Sequence, residues 1–350
     1  MSYRFCVISE GLGGTPDEGI RNFVSSLSRA LETEHSVQPV SLDTGVGTPG
    51  DVKTNRLLLS GALRRRLNAC KPDLILYIPL ASATLGSFLR SRMLRFLHPG
   101  APVVMVALQP RRHTPWKRLL IRRLHPNAFL AQDASSVAEL PVAIPASTLP
   151  SGVDTGRFRP VASEEKTRIR RSLDIGESDF VILHVGHIRR ERGVAVMGVL
   201  ARRFPCRAVV VGSTSTEQDG ALAGELETAG VRVIRERVPE IERLYQAADC
   251  YLFPVQSDQA AIEMPLSVLE AMAVNLPVLC TRFGALPRHF PEGRGICYVE
   301  GTEDVPPLLE KVIQGIPVST REQVMPFSWE NVAAGLVRTL EGWRMLRGKK

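Results

Sequence analysis

Cys250-Tyr-Leu-Phe-Pro254, followed by Pro265-Leu-Ser-Val-Leu-Glu-Ala-Met-Ala-Val-Asn-Leu-Pro-Val-Leu-Cys280, is the stretch on which the fold of this 350-residue chain turns. Cys250–Phe253 and Val278–Cys280 are short apolar runs of the kind found in strands buried on both faces. Leu266–Ala273 between them reads as a helix, with Pro265 suited to its first position because the N–H it lacks would be unpaired there anyway. Strand, helix, strand in that order makes a parallel pair joined by a crossover, so the sheet must be covered by helices on both faces.

The same alternation runs outward in both directions. Val181–Val185, Ala208–Val211, Val231–Ile234 and Gly295–Val299 are strand patterns, with helices at Val194–Arg203 and Glu240–Ala248. In the first half, Phe5–Ser9, Val37–Leu42, Asp73–Ile78, Val103–Leu108 and Ala128–Ala131 read as strands, and Glu18–Glu34, Lys53–Cys70, Ser82–Leu97 and Pro115–Leu124 as helices. Pro145–Pro160 is rich in breakers, and Glu164–Leu173 then opens a new charged helix. The expected architecture is α/β, with two Rossmann-like doubly wound domains facing a cleft: residues 1–158, residues 159–326, and a last helix over 327–350 with Ser328 as its N-cap. Ligands of such sheets bind at the carboxyl ends of the strands, which directs attention to a few strand-to-helix loops.

Composition narrows the function classes. Hydrophobic residues at 44% and charged residues at 23% are ordinary for a globular protein and exclude a disordered or fibrous chain. No apolar run approaches the roughly 20 residues of a membrane span. Met1–Arg4 leads straight into a strand pattern, so no secretory leader is expected. The six cysteines are scattered without metal-ligand spacing and read as core residues of a reduced, cytoplasmic protein. Net charge is uneven: +9 over residues 1–160 and −1 over 161–350. A basic half suggests an acidic partner, either a membrane surface or a polyanion. Nucleic acid is disfavoured, because aromatic residues make up only 6% of the chain.

Three loops carry residue types suited to chemistry. Glu10-Gly-Leu-Gly-Gly-Thr-Pro16 follows the first strand, and Gly13 and Gly14 would let the backbone approach a phosphate closely. As a dinucleotide fingerprint it fails at Pro16, although Asp43 could serve as a ribose acid, which keeps an NAD-type dehydrogenase open as a reading. At the second site the amides of Leu266, Ser267 and Val268 face out of a helix start, where an anion is stabilised by the dipole. Glu270, about a turn further on, is a carboxylate in an otherwise apolar helix. In the third loop, His184-Val-Gly-His-Ile-Arg-Arg-Glu-Arg-Gly193, Arg192 has the fork geometry for bidentate phosphate contact.

These residues, with the Leu149-Pro-Ser-Gly-Val-Asp-Thr-Gly-Arg-Phe-Arg-Pro160 linker and the terminal Phe-Ser-Trp helix, resemble the retaining glycosyltransferases of the GT-B fold, in the glycogen-synthase-like group called family 4. The resemblance implies transfer of a sugar from a nucleotide-diphosphate sugar to a hydroxyl acceptor, with the first domain on the acceptor side and the last helix returning to it. It implies Glu270 on the ribose, Arg192 and the 266–268 amides on the diphosphate, and the Gly13-Gly14 loop over phosphate or acceptor. Departures are visible. The group carries two glutamates whose earlier member would fall at Ile262; Glu263 is offset by one. His187 stands where an arginine is usual, with Arg189 and Arg190 near enough to replace its charge. Arg288 occupies a position that is often acidic. Gln109 and His113 lie where an acceptor-side histidine is common. No Asp-x-Asp triplet occurs, so neither metal nor cofactor is expected.

Pro115–Leu124 and Ser87–Leu97 intersperse lysine and arginine with Trp116, Leu119, Leu120 and other apolar residues. Such segments suit contact with an anionic membrane surface. A lipid-linked or saccharide acceptor, met at the inner membrane face, is therefore the expected partner beside the nucleotide sugar. The alternative is a nucleotide-sugar-binding protein whose altered positions have lost catalysis.

Overall fold

The computed structural model describes residues 2–10, 12, 19–43, 51–213 and 218–346. The chain divides into two compact units, residues 1–152 with 329–350, and residues 153–328. The crossings thus lie a few residues before the expected 158 and after the expected 326.

Unit 1 holds seven strands, β1 (Arg4–Glu10), β2 (Ser36–Asp43), β3 (Val52–Lys53), β4 (Leu74–Tyr77), β5 (Val103–Ala107), β6 (Ala128–Ala131) and β7 (Ala146–Thr148), all parallel in the order β3-β2-β1-β4-β5-β6-β7. Its helices are α1 (Gly19–Glu32), α2 (Gly61–Cys70), α3 (Leu85–Leu97), α4 (Pro115–Ile121) and α5 (Ala134–Ala138). β4, β5 and β6 are buried throughout, as their uninterrupted apolar sequences require. Strand order reverses between β1 and β4, which pair with Phe5 against Leu74 and Ile8 against Tyr77.

One expected helix is corrected. Lys53–Cys70 is not continuous: β3 ends at Lys53, and α2 begins only at Gly61. The Asn55 side chain accepts from the amides of Leu57 and Leu59, and Leu58 takes a left-handed φ of 62°. An Asn side chain bonded to its own following amides offers the backbone a turn in place of a helix. Ser60 then caps α2 by accepting from Leu63 N at 3.4 Å.

Unit 2 holds β8 (Phe180–Val185), β9 (Cys206–Val211), β10 (Arg232–Ile234), β11 (Cys250–Phe253), β12 (Val278–Thr281) and β13 (Ile296–Val299), parallel in the order β10-β9-β8-β11-β12-β13. Around them lie α6 (Ser163–Ser172), α7 (Val196–Arg203), α8 (Gly220–Thr228), α9 (Ile241–Ala247), α10 (Leu266–Ala273), α11 (Leu286–His289), α12 (Val305–Gln314) and α13 (Thr320–Val324). Separate apolar clusters fill the two faces of this sheet, one against α9 and α10, the other against α7, α8 and α12. Here the order reverses between β8 and β11, and such a reversal opens a crevice at the carboxyl edge of the sheet.

The last helix, α14 (Trp329–Gly342), belongs to unit 1 and packs on α1, as expected of a helix that returns to the first domain. Trp329 meets Phe23 edge-on at 5.3 Å, and Tyr3 donates its hydroxyl to Glu341 at 2.6 Å. Gly152 lies against the Trp329 ring so closely that a Cβ there would stand 2.6 Å from it, which excludes any larger residue without movement.

Candidate active site

The crevice of unit 2 is built from three loops. After β8 the chain runs through Gly186 and His187 into a short 3-10 turn, Arg190–Arg192, and leaves it through Gly193 at φ 69°. Gly193 is required twice over: its φ is left-handed, and a Cβ would collide with the carbonyl of Pro254 in the loop after β11. That contact sets Arg192 at the reversal. The Arg192 guanidinium donates to Ala260 O in the same loop, and burial pulls its pKa down to about 10, so it stays cationic at neutral pH.

The loop after β11, residues 254–265, is held at two further points. Thr281 Oγ1 at the end of β12 donates to Val255 O, and Ala285 N donates to Glu263 O at 2.8 Å. Gly284, at φ 53°, presses on the Glu263 backbone, where a Cβ would overlap the carbonyl. Glu263 and Ile262 are both buried by this clamping.

Pro265 caps α10 in an extended conformation, so it precedes the helix instead of occupying its first position. The Val268 amide donates back to Pro265 O at 3.2 Å, which corrects the expected set of three amides. The first-turn amides of Leu266 and Ser267 remain at the helix start, where the macrodipole favours an anion. Glu270, half-buried on the same helix, accepts from the Tyr245 hydroxyl of α9 at 2.8 Å. Burial pushes its carboxyl up to about 7, against the lowering effect of that hydrogen bond and of Arg157.

Two tyrosines join these parts. Tyr251 on β11 donates to Val185 O at the end of β8 at 3.3 Å and is hydrogen-bonded to the Ser267 side chain. Its ring lies 5.7 Å from that of Tyr245, whose hydroxyl is held protonated well above its usual range by burial and by Glu270. His184, fully buried in β8, engages Leu252 O through Nδ1 at 2.9 Å; burial lowers its pKa to about 4 and leaves it neutral beside Arg192. None of Tyr245, Tyr251 and His184 was legible as a site residue: His184 and Tyr251 sit in apolar strand runs and Tyr245 on the buried side of a mixed helix, and all three look like core until strand order is known.

The other expected residues are placed as follows. His187 is half-buried in the β8 loop. Arg189 pairs with Glu191 at 3.6 Å and Arg190 with Glu225, so the two arginines expected to replace the charge at 187 are engaged in surface ion pairs. Arg288 is exposed on α11. Gly13 and Gly14 lie outside the described residues. Gln109 and His113 follow β5 in unit 1. The Gln109 backbone exchanges hydrogen bonds with Ser82 at 2.6 and 3.0 Å, while His113 packs edge-on to Phe88 at 5.9 Å. Burial first, then Lys117 and Arg118, lowers the His113 pKa, so the ring is a neutral packing group here. Among the described residues no three His, Cys, Asp or Glu side chains gather as a metal site.

Comparison with known proteins agrees with this geometry. Residues 179–316 match the family model described as glycosyl transferases group 1. A lipopolysaccharide core biosynthesis mannosyltransferase of Rhizobium meliloti is 27% identical over 194 residues, 52% of each chain. A D-inositol 3-phosphate glycosyltransferase of Corynebacterium urealyticum is 30% identical over 209 residues, 53% of this chain and 48% of that one. The matches to these curated relatives thus span about half of their length. Among solved structures, sucrose-phosphate synthase from Thermosynechococcus elongatus superposes with a TM-score of 0.76 at 16% identity, over 97% of this chain and 99% of that one. Anabaena HepE in complex with UDP does so at 0.74 and 12%, over 98% and 100%. These likenesses show the fold: two Rossmann-like parallel-sheet domains of the GT-B kind.

Proposed function

We propose that this protein is a glycosyltransferase that moves a sugar from a nucleoside-diphosphate sugar to a hydroxyl acceptor, with retention at the anomeric carbon and without a metal or other cofactor. The observation that carries the reading is the convergence, at the reversal of the unit 2 sheet, of the Arg192 cation, the first-turn amides of α10, which no side chain caps, and the Glu270 carboxylate. In the reaction the bond from the anomeric carbon to the diphosphate oxygen breaks, and a bond from that carbon to the acceptor oxygen forms. The acceptor proton leaves with the diphosphate. Arg192 and the amides of Leu266 and Ser267 would stabilise the charge growing on the leaving group, a role for which fixed donors in a buried site are effective. Glu270 would hold the ribose hydroxyls, and Glu263, carried on the clamped loop, would face the sugar.

A uridine donor is the first to test, because HepE, a structural neighbour, is described in complexes with UDP and UDP-glucose. The acceptor hydroxyl, on a lipid-linked group or a saccharide, would be met on unit 1 at an anionic membrane surface on the cytoplasmic side. Thermal shift against UDP, GDP, ADP, their sugar conjugates and NAD tests the reading. The expected result is stabilisation by one nucleoside diphosphate and its conjugate, abolished in Glu270→Ala, with sugar release or transfer from that conjugate. Stabilisation by NAD alone would overturn it. Binding without any turnover would mark a nucleotide-sugar-binding protein instead.

A further inference from the structure

On unit 1, α3 and α4 pack side by side on one face of the sheet, both contributing to the same apolar cluster through Phe88, Leu94 and Ile121. Their outward sides leave large apolar groups in water: Phe96 is 71% exposed, Trp116 58%, Leu119 58% and Leu120 40%. In unit 2 the large exposed hydrophobics among the described residues, Val199, Ile313 and Met325, stand on three separate elements. Scattered singles need no explanation, but a group on two adjacent helices does.

The charge along the sequence that carries this group is of one sign. Between Asp73 and Asp133 lie nine lysines and arginines and no aspartate or glutamate. Some of these cations are anchored: Arg118 to Glu139 at 3.2 Å, Arg122 to Pro141 O at 3.1 Å, and Arg95 to His125 O at 2.9 Å. Arg92 and Arg123 are exposed, and the Lys117 ammonium sits 5.5 Å over the Trp116 ring. Besides burial, the charge of Arg92 lowers the pKa of Arg95.

We propose that the outer face of α3 and α4 is a membrane-docking surface that lies on an anionic lipid bilayer. Trp116, Leu119, Leu120 and Phe96 would enter the boundary between headgroups and acyl chains, while Lys117 and Arg123 meet lipid phosphates. α4 has seven residues, about 10 Å of helix, so it lies in the interface and does not cross it. A polyanion such as RNA would satisfy the cations but has no use for exposed leucines, which neither stack nor hydrogen-bond; a bilayer satisfies both. The inference deepens the proposed function by locating its membrane, yet it stands on unit 1 alone and is tested without donor or acceptor.

The test is co-sedimentation with vesicles of phosphatidylcholine alone and mixed with phosphatidylglycerol, at low and high salt, with Trp116 fluorescence read in parallel. Sedimentation with the mixed vesicles only, with a blue shift absent in Trp116→Phe, is the expected result. The double variant Trp116→Ser/Leu119→Ser, which changes only exposed side chains, should bind at least about tenfold more weakly at every salt concentration. Lys117→Glu/Arg123→Glu should remove the salt-sensitive part of binding. No sedimentation with anionic vesicles at low salt would overturn the proposal. So would binding unchanged in the serine variant, or a self-associated protein in sedimentation velocity that the serine variant returns to monomer. A failure of the donor experiment would leave this outcome untouched, because no nucleotide is present.

Discussion

The two sheets reverse their strand order at equivalent places, and each places ionisable side chains at that reversal, but the surroundings differ. In unit 1, Glu10 at the end of β1 accepts from the Tyr77 hydroxyl at 2.7 Å, from Arg90 at 2.9 Å and from the Leu80 amide at 2.9 Å. The carboxylate, its cation and the neighbouring backbone are closed on one another. Burial and the charge of Glu10 keep the Tyr77 hydroxyl protonated far above its usual range. In unit 2 the half-buried cation, Arg192, donates to the neutral Ala260 carbonyl, and the carboxylate, Glu270, has a tyrosine as partner and a pKa raised to about 7. One topology therefore serves two ends. The closed set of unit 1 spends its charges on fixing the loops that leave β1 and β4. In unit 2 cation and carboxylate have different partners, and the proposed donor, with its phosphates and hydroxyls, would use each of them separately.

The comparison breaks most visibly at Glu10. Arg90 and Glu10 form an ion pair whose side chains are only 19% and 8% exposed. Removing one partner of a buried pair leaves an uncompensated charge and costs about 3–5 kcal/mol. Glu10→Ala should lower stability by that amount in urea unfolding, and Glu10→Gln, which keeps hydrogen-bonding capacity but not the charge, by less. A Glu10→Ala protein of wild-type stability would show that the closed set of unit 1 is not structural. The equivalent change at Glu270, a group whose ionised form is disfavoured by burial, should cost less, about 1 kcal/mol for the lost Tyr245 hydrogen bond.

That contrast also separates what was legible in the sequence from what was not. Alternating apolar runs and helical patterns were enough for the inner strands of both parallel sheets, because strands buried on both faces need unbroken apolar residues, but not for the short edge strands β3 and β7 of unit 1. Glu270 stood out as a carboxylate in an otherwise apolar helix. The failures share a cause, namely local pattern overruled by side-chain hydrogen bonds or by tertiary contact. Residues 53–60 carry a helical composition, but the Asn55 side chain takes the amides a helix would use. Pro265 suits the first helical position by sequence, yet the clamping of the 254–265 loop holds it extended as the cap. Arg189 and Arg190 looked available until Glu191 and Glu225, the latter 35 residues away in the chain, engaged them. Glu10, Tyr77 and Arg90 meet across 67 and 80 residues of sequence, a separation that no local reading spans.

A smaller effect sharpens the comparison through pH. With its pKa near 7, Glu270 is largely protonated below neutrality and ionised above it. If the ionised form holds the ribose hydroxyls, nucleotide affinity should be constant above about pH 8 and fall about tenfold per pH unit well below 7. Glu270→Gln should bind weakly with a flat profile. Stability should run the other way. A carboxyl whose folded pKa lies above its unfolded one favours the folded state when protonated, so that contribution is lost as pH rises from about 4.5 through 7. Glu270→Gln should therefore be more stable than the wild type above neutrality. A wild-type Kd independent of pH between 6 and 8 would separate Glu270 from the ribose.

The finest test lies at Tyr245, which touches Glu270 but would not touch the ligand. Its hydroxyl donates to the Glu270 carboxylate at 2.8 Å and lowers the pKa that burial raises. Tyr245→Phe keeps the ring that packs edge-on to Phe158 and beside Tyr251 and removes only this bond, a loss of about 1 kcal/mol in stability. With the bond gone, the Glu270 pKa should rise further, and the midpoint of the affinity–pH profile should move upward. The plateau affinity at high pH should stay close to that of the wild type, because the ionised carboxylate is still present and still oriented by α10. A purely structural tyrosine would lower the plateau without moving the midpoint. A moved midpoint on an unchanged plateau would make Tyr245 the residue that sets where on the pH scale this crevice opens to its ligand, a control that the closed set around Glu10 has no means to provide.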